Sequence, residues 1–487
     1  MTHSSNQRCN ALQSILGIFL HCCNAPEAVR ECLAHMGISI SVSAINSAVT
    51  NLSKQSETEM QRLGESFLTS YAYDNLDIDL KHSIPTVEKP QDTLIHLTSG
   101  TMLPLNHGVT LGDLNCSEEL WKKSANNPSA HRRDLPSIKV EDLLLLHPEE
   151  NHSSGLLRRE RFNAWKFLHD LINFGPKYFR KYRQELGDPE VIEQIPIVKT
   201  SQVPNKALDI SPNAPAQNAE ALEAFFRQAG IGDSTENPKV HDIKNQVTLV
   251  FGDLLTGERI RSLQESRSEE ATPWRRMQSV VFVMGLFHLK MACADAIWRI
   301  FIHPVAAKED ANSLLEHIGQ IRPKETGKIR SGPGFRRMHE VIQHVGIVSR
   351  LDCWRLEVGK DLGFQSLEDF AESHPDFAKL REMANTLCRE QIAQPDRLIS
   401  SNPDNDAQHD NALLRQQYFL LYEEISHAMN YGDIGRVETC FMPWVFIFQG
   451  CGKHKYAAEM QRYLKNVHFI YPDGLKCVTC RCCDQTY

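Results

Sequence analysis

The sequence predicts a mostly α-helical protein with a small mixed α/β core. Three observations carry this. Apolar residues recur at helical spacing through most of the chain. β-rich runs interrupt them at 70–80, 93–105 and 247–251. At 247–263, VTLVFGDLLTGERIRSL, an apolar run stops at Gly252-Asp253 and passes at once into a helix-compatible segment.

Composition sets the class. The chain has 487 residues, too many for one core, so two or three domains are expected. It is 41% hydrophobic and 23% charged, ordinary for a globular protein. A net charge of -8 argues against uniform coating of nucleic acid but leaves room for a local basic face. No apolar run reaches the roughly 18 residues of a membrane span, so no membrane partner is expected. LQSILGIFL at 12–20 reads as a core helix and not as a leader. The 14 cysteines, scattered through apolar patterns, point to reduced thiols and an intracellular protein.

Residues 1–70 read as an N-terminal helical segment, with Gly37 closing the second helix. Residues 71–187 begin the α/β core. SYAYDNLDIDL and TLIHLTSGTMLPL are its strand candidates, and Asp74 and Asp77 lie on the first. Alternate residues of a strand share a face, so Asp77 and Asp74 point to opposite sides. An acidic loop that binds nothing is the competing reading. Residues 106–157 are polar and read as an irregular surface loop.

Residues 158–187 carry eight Lys and Arg against three acids, interleaved with aromatics such as Phe162, Trp165 and Phe179. A packed aromatic face with a solvated basic face accounts for this. A face that tracks phosphates through Arg158, Arg159, Lys177, Arg180, Lys181 and Arg183 is the functional alternative, with DNA as partner. Residues 188–240, with six prolines, read as linker-like around one short helix.

Residues 241–303 hold the central strand and a buried helix. The strand delivers Asp253 to its tip. A metal-holding carboxylate and a plain turn residue are both consistent with that position. Residues 274–302 are apolar nearly all round and read as one buried helix, with a break near Gly285. His288 in its middle is either a hydrogen-bonded core residue or a support to Asp253. Residues 304–410 read as a helical insertion and 411–476 as a C-terminal helical block. In the block, YGDIGRVETC brings Asp433, Arg436 and Glu438 together. Asp433 as a helix cap with Arg436 paired on the surface is the simpler account. The Cys-rich tail, 477–487, has CxxC spacing but no second half-site nearby. A disordered tail without zinc is expected there.

YDNLDIDL, HLTSGTMLPL, TLVFGDLLTGERI, GLFHLKM and YGDIGRVE…FQGCGKHKYAAEM together resemble a large fungal family. It is abundant in mushroom-forming basidiomycetes, has a transposon-like copy-number pattern, and is catalogued only as a domain of unknown function. The resemblance covers roughly residues 10–476. Members continue past the position of Leu475 with a segment of the type NNWLVN and an acidic helix, where this chain has CVTCRCCDQTY. It also starts late relative to longer members, so a chain truncated at both ends and inactive in this copy is one expectation.

Two classes of function follow. The first is a transposase-like nuclease that acts on DNA by phosphoryl transfer, on a ribonuclease-H-like sheet with long helical insertions. Its catalytic acids come from Asp74, Asp77, Asp253, Asp433 and Glu438. Asp74, Asp253 and Glu438 hold Mg²⁺ or Mn²⁺, supported by Arg259, His288 and Arg436. Such a protein belongs in the nucleus and needs no small-molecule cofactor. The second is a non-catalytic helical binding or scaffold protein, in which the same acids are caps and turns.

Overall fold

The β-rich runs at 70–80 and 93–105 form β1 (Thr69–Leu80) and β2 (Thr93–Pro104), an antiparallel pair with Tyr71 opposite Met102 and Asp77 opposite His96. Short strands β3 (Val203–Pro204), β4 (Ile231–Gly232) and β5 (His241–Asp242) follow, then β6 (Thr248–Gly252) and β7 (Val280–Met284). The main sheet has the order β3-β2-β1-β6-β7, and β4 and β5 pair separately. The mostly helical expectation with a small mixed core holds. The computed structural model describes residues 10–80, 93–130, 137–210, 214–305, 310, 312–393 and 407–482. Among them, no helix is long and apolar enough to cross a membrane.

The chain divides into two compact units. The first comprises Met1–Leu105, Thr200–Val250 and Arg259–Val281, and it holds the whole of β1 to β5 and the first residues of β6 and β7. Strand β6 lies between β1 and β7, as its continuous apolar run requires: Leu249 and Val250 are wholly buried. The helix Pro215–Gln228 packs on β1, with Phe226 edge-on to Tyr71 at 5.1 Å and Phe225 against Tyr73 at 5.9 Å. Gly100 makes this close approach feasible, because a Cβ there would stand 2.7 Å from the Phe225 ring. The supposed linker 188–240 therefore carries part of this core.

The second unit comprises Asn106–Lys199, Phe251–Glu258 and Phe282–Tyr487. It is almost wholly helical. The helices Arg158–Phe174, Gly334–Leu362 and Phe377–Glu390 bury Phe167, Leu171, Trp354, Leu380 and Leu387 in one cluster. The aromatics Phe162, Phe167, Phe179 and Tyr182 are core residues, in line with the packed-face reading of 158–187. The helices Ala407–Tyr431, Ile434–Gly450 and His454–Lys465 build the C-terminal part.

Three expectations change. Residues 274–302 are not one helix: VVFVM is β7, and the helix Leu286–Phe301 begins only after Gly285. Three valines in five residues favour the extended chain, because branching at Cβ restricts χ1 in a helix. Residues 106–157 contain the short helices Leu111–Leu114, Ser117–Lys122 and Val140–Leu144 in place of an irregular loop. The tail is ordered as far as it is described: the helix Asp473–Cys482 buries Leu475, Val478, Thr479 and Cys480. Cys483 lies outside the described residues.

Candidate metal centre

The helix Ile434–Gly450 is buried on nearly every face, so each polar side chain it carries must find a partner. Asp433 caps it. Its carboxylate accepts from the backbone N–H of Arg436, 3.1 Å, and from those of Ile192 and Glu193. Arg436, 1% exposed, donates to Glu424 Oε1 at 2.9 Å and to the Glu190 carbonyl. These two residues thus close a structural network. Two residues on from Arg436, about half a helical turn, Glu438 points elsewhere.

Glu438 is 5% exposed, and its two oxygens have different company. Oε2 lies 2.7 Å from His468 Nε2 and 3.2 Å from His147 Nε2. Oε1 accepts from the Tyr463 hydroxyl at 3.4 Å and faces the Cys480 thiol at 3.8 Å. Burial alone would raise the Glu438 carboxyl. Hydrogen bonds and charge from His147 and His468 outweigh it and hold it down at about 2. The two imidazole rings stand edge-on, 5.8 Å apart. One donor atom from each of His147, Glu438 and His468 lies within 4.8 Å of the other two.

Local structure explains how these groups converge. His468 sits on a π-helical turn, Asn466–Ile470, which continues the helix His454–Lys465. A π turn rotates its side chains off the helical register, and such turns are frequent at functional sites. His147 follows the short helix Val140–Leu144. Cys480 comes from the helix Asp473–Cys482.

Beside the cluster is a pocket of about 230 Å³. His147, Glu438, Arg158 and Arg159 line it, with Leu143, Leu144, Met442, Pro443 and Leu464 as its apolar wall. Pro443 lies inside the helix Ile434–Gly450 and has no N–H to give the Thr439 carbonyl four residues back. Arg159 Nη2 supplies that bond at 2.8 Å, while its Nε pairs with Glu424 Oε2 at 2.8 Å. The proline defect therefore anchors an arginine at the pocket.

The donor set has a definite chemistry. Two imidazoles and one carboxylate suit zinc and its first-row neighbours, whereas Mg²⁺ and Mn²⁺ favour oxygen ligands. Three donors also leave a coordination position open, the pattern of catalytic and not of structural zinc sites. Tyr463 and Cys480 act on Oε1 and so fix the carboxylate with Oε2 toward the imidazoles.

The family of unknown function DUF6589 matches residues 136–482, and every residue of this cluster falls within that span. The chain belongs to this family. The match begins later than the resemblance at residue 10 and continues past Leu475, where a departure from the family is expected. No curated protein and no solved structure matches the chain.

Of the acids singled out in the sequence, only Glu438 joins the cluster. Asp74 and Asp77 lie in the first unit, exposed on β1, and Asp77 pairs with His96 at 2.7 Å. Asp253, in the second unit, caps the helix Leu254–Ser266: its Oδ1 accepts from the Thr256 N–H at 2.7 Å. His288 is half-buried near Gly285, with the Phe287 ring beside it. Arg259 is half-buried on the helix that Asp253 caps. Lys177, Arg180, Lys181 and Arg183 form an exposed basic run, in which Lys181 lies over the Tyr178 ring at 3.8 Å. Arg158 and Arg159 reach the pocket instead.

His147, Tyr463 and His468 carried no signal that sequence reading could isolate. The chain has 21 histidines, so spacing alone singles out neither of these two. The CxxC tail was the one pointer, and its partners lie far away in sequence.

Proposed function

We propose that this protein is a metal-dependent hydrolase whose centre is His147, Glu438 and His468. The observation that carries this reading is the meeting of the three donors within 4.8 Å at the edge of a pocket. Zinc or a close neighbour is the fitting ion, in place of the Mg²⁺ or Mn²⁺ expected from a three-carboxylate site. Bound there, such an ion supplies Lewis acidity and a water acidified toward neutral pH. The chain's own part is to hold and orient. The imidazoles and Oε2 provide the donors, Tyr463 and Cys480 keep the carboxylate in place, and the apolar wall limits water.

A nuclease that cuts DNA, with nuclear residence and a fungal, transposon-like origin, is a narrower reading of the same centre, and the small pocket disfavours it for duplex DNA. A non-catalytic scaffold is the competing class. Metal analysis of the purified chain decides between them, combined with calorimetric titration of Zn²⁺. The hydrolase reading expects one equivalent of Zn²⁺ bound by the natural protein and none by Glu438→Gln. A natural protein that takes up no zinc sinks it.

A further inference from the structure

The pocket beside the metal centre has one polar corner and one apolar wall, and their chemistry narrows the substrate. We propose that it takes a small phosphate ester, with the phosphate held between the metal position and Arg158; this rests on the metal-dependent reading above. Arg159 is already spent on Glu424 and the Thr439 carbonyl. Arg158 is not. Its Nη2 donates to the Pro148 carbonyl at 3.2 Å, and its backbone N–H holds Glu149 Oε2 at 2.9 Å. Among the described residues, the rest of the Arg158 guanidinium has no protein partner, and it lines the pocket. An arginine fork matches phosphate oxygens in pairs, as a lysine does not.

Charge points the same way. Two arginines, Arg158 and Arg159, face three glutamates, Glu149, Glu424 and Glu438, around this pocket. Glu424 is already paired with both Arg159 and the buried Arg436, and a dication at the three donors adds two positive charges beside Arg158, so an anion is held far better once the metal has bound. An uncharged carboxylic ester would gain nothing from Arg158, whereas a phosphate dianion gains from both the arginine and the metal. The apolar wall of Leu143, Leu144, Met442, Pro443 and Leu464 fits the organic part of the ester. A volume of about 230 Å³ accommodates a phosphate with a small group and not a double-stranded nucleic acid.

The reaction is hydrolysis. A water oxygen bonds to phosphorus, the P–O bond to the organic group breaks, and that oxygen leaves with a proton as the alcohol. Inorganic phosphate remains, and no oxidant or second substrate is consumed.

The test uses the full chain loaded with Zn²⁺. Inorganic phosphate is titrated calorimetrically into the natural protein and into Arg158→Gln, after Zn²⁺ binding has been measured for each. Phosphate should bind the zinc-loaded natural protein, not the zinc-free one, and roughly tenfold or more weakly to Arg158→Gln. Zn²⁺ affinity should be equal in the two. Arg158→Lys, which keeps the charge but not the fork, should fall between them. Turnover of phenyl phosphate should exceed that of phenyl acetate. Phosphate binding that ignores Arg158, or is absent from protein that does bind zinc, overturns this proposal and leaves the metal reading intact. Preference for phenyl acetate does the same. Failure to bind zinc at all overturns both.

Discussion

Arg350 Nε lies 2.6 Å from Asp170 Oδ2, and both side chains are wholly buried. Arg350 Nη2 reaches Glu423 as well, at 2.8 Å, and Lys166 Nζ sits 2.7 Å from Asp170 Oδ1. The charges balance inside the core, and the guanidinium beside Asp170 holds its carboxyl well below the usual range, against the opposing pull of burial. Removing one member of such a set leaves the others uncompensated. Arg350→Met should therefore cost about 3–5 kcal/mol, although Met packs well. Urea unfolding of the two proteins checks this. A cost under about 1 kcal/mol would mean that the network is not buried in solution.

Two tryptophans should respond differently to truncation. Trp354 is wholly buried and donates its Nε1–H to the Phe167 carbonyl at 3.0 Å. Trp354→Ala should cost about 3–5 kcal/mol. Trp298, on the helix Leu286–Phe301, is only half-buried, with its Nε1–H on the Ile329 carbonyl at 2.9 Å. Trp298→Ala should cost clearly less. Denaturant midpoints measured side by side give the ranking, and equal losses would refute it.

Much of the fold was legible, because its signals are local. Strand β6 is bounded by Gly252 and apolar on both faces, so its place between two neighbours follows from its own sequence. Gly37, at φ +70, ends its helix as a glycine at that position should. β7 hides inside a helical pattern because a short apolar run has no periodicity of its own, and the β-branched Val280, Val281 and Val283 are what mark it as a strand. The site was far less legible. Glu438 stood out for its acidic neighbour Asp433, yet that neighbour turned out to be a cap. His147 and Glu438 are 291 positions apart, and no local pattern announces a pair joined only by tertiary packing. Chemistry on a π turn is harder still to foresee, because the extra residue shifts His468 off the helical register that sequence reading assumes.

Acid should weaken the protein through His427. Burial, and then the positive charge of Arg436, push this imidazole down to about 4; Asp188 and Asp433 pull the other way but do not prevail, and His169 adds to the depression. Its ring lies against Trp165 at 5.3 Å and stacks on Tyr431 at 4.2 Å. In the unfolded chain it titrates near about 6.5. Between those values the unfolded state holds the proton and the native state does not, so stability falls as pH drops from about 6.5 to about 4. The loss should be about 2 kcal/mol, allowing for the part of the ring that solvent reaches. His427→Phe should flatten that part of the stability curve. Parallel slopes for both proteins across the window would count against the assignment.

The last prediction separates the two carboxylates that the sequence placed in one metal site. Zn²⁺ that binds only the native state stabilises it by mass action, by about 2.7 kcal/mol at roughly a hundredfold excess over its dissociation constant. Glu438→Gln should remove most of that increment, because the amide offers neither charge nor a strong donor beside the imidazoles of His147 and His468. It should also weaken the metal-free protein, since both histidines favour the ionised carboxylate. The increment, and not the absolute stability, is therefore the quantity to compare. Asp253→Asn should leave it unchanged. Asp253 accepts one backbone hydrogen bond, from Thr256, and Asn caps a helix about as well as Asp. Mg²⁺ at the same concentration should add little, because imidazole nitrogens are poor ligands for it. Melting curves of the three proteins, each without metal, with Zn²⁺ and with Mg²⁺, give nine values that must fall in this pattern. If Asp253→Asn loses the increment while Glu438→Gln keeps it, the metal lies at the strand tip and not between His147 and His468.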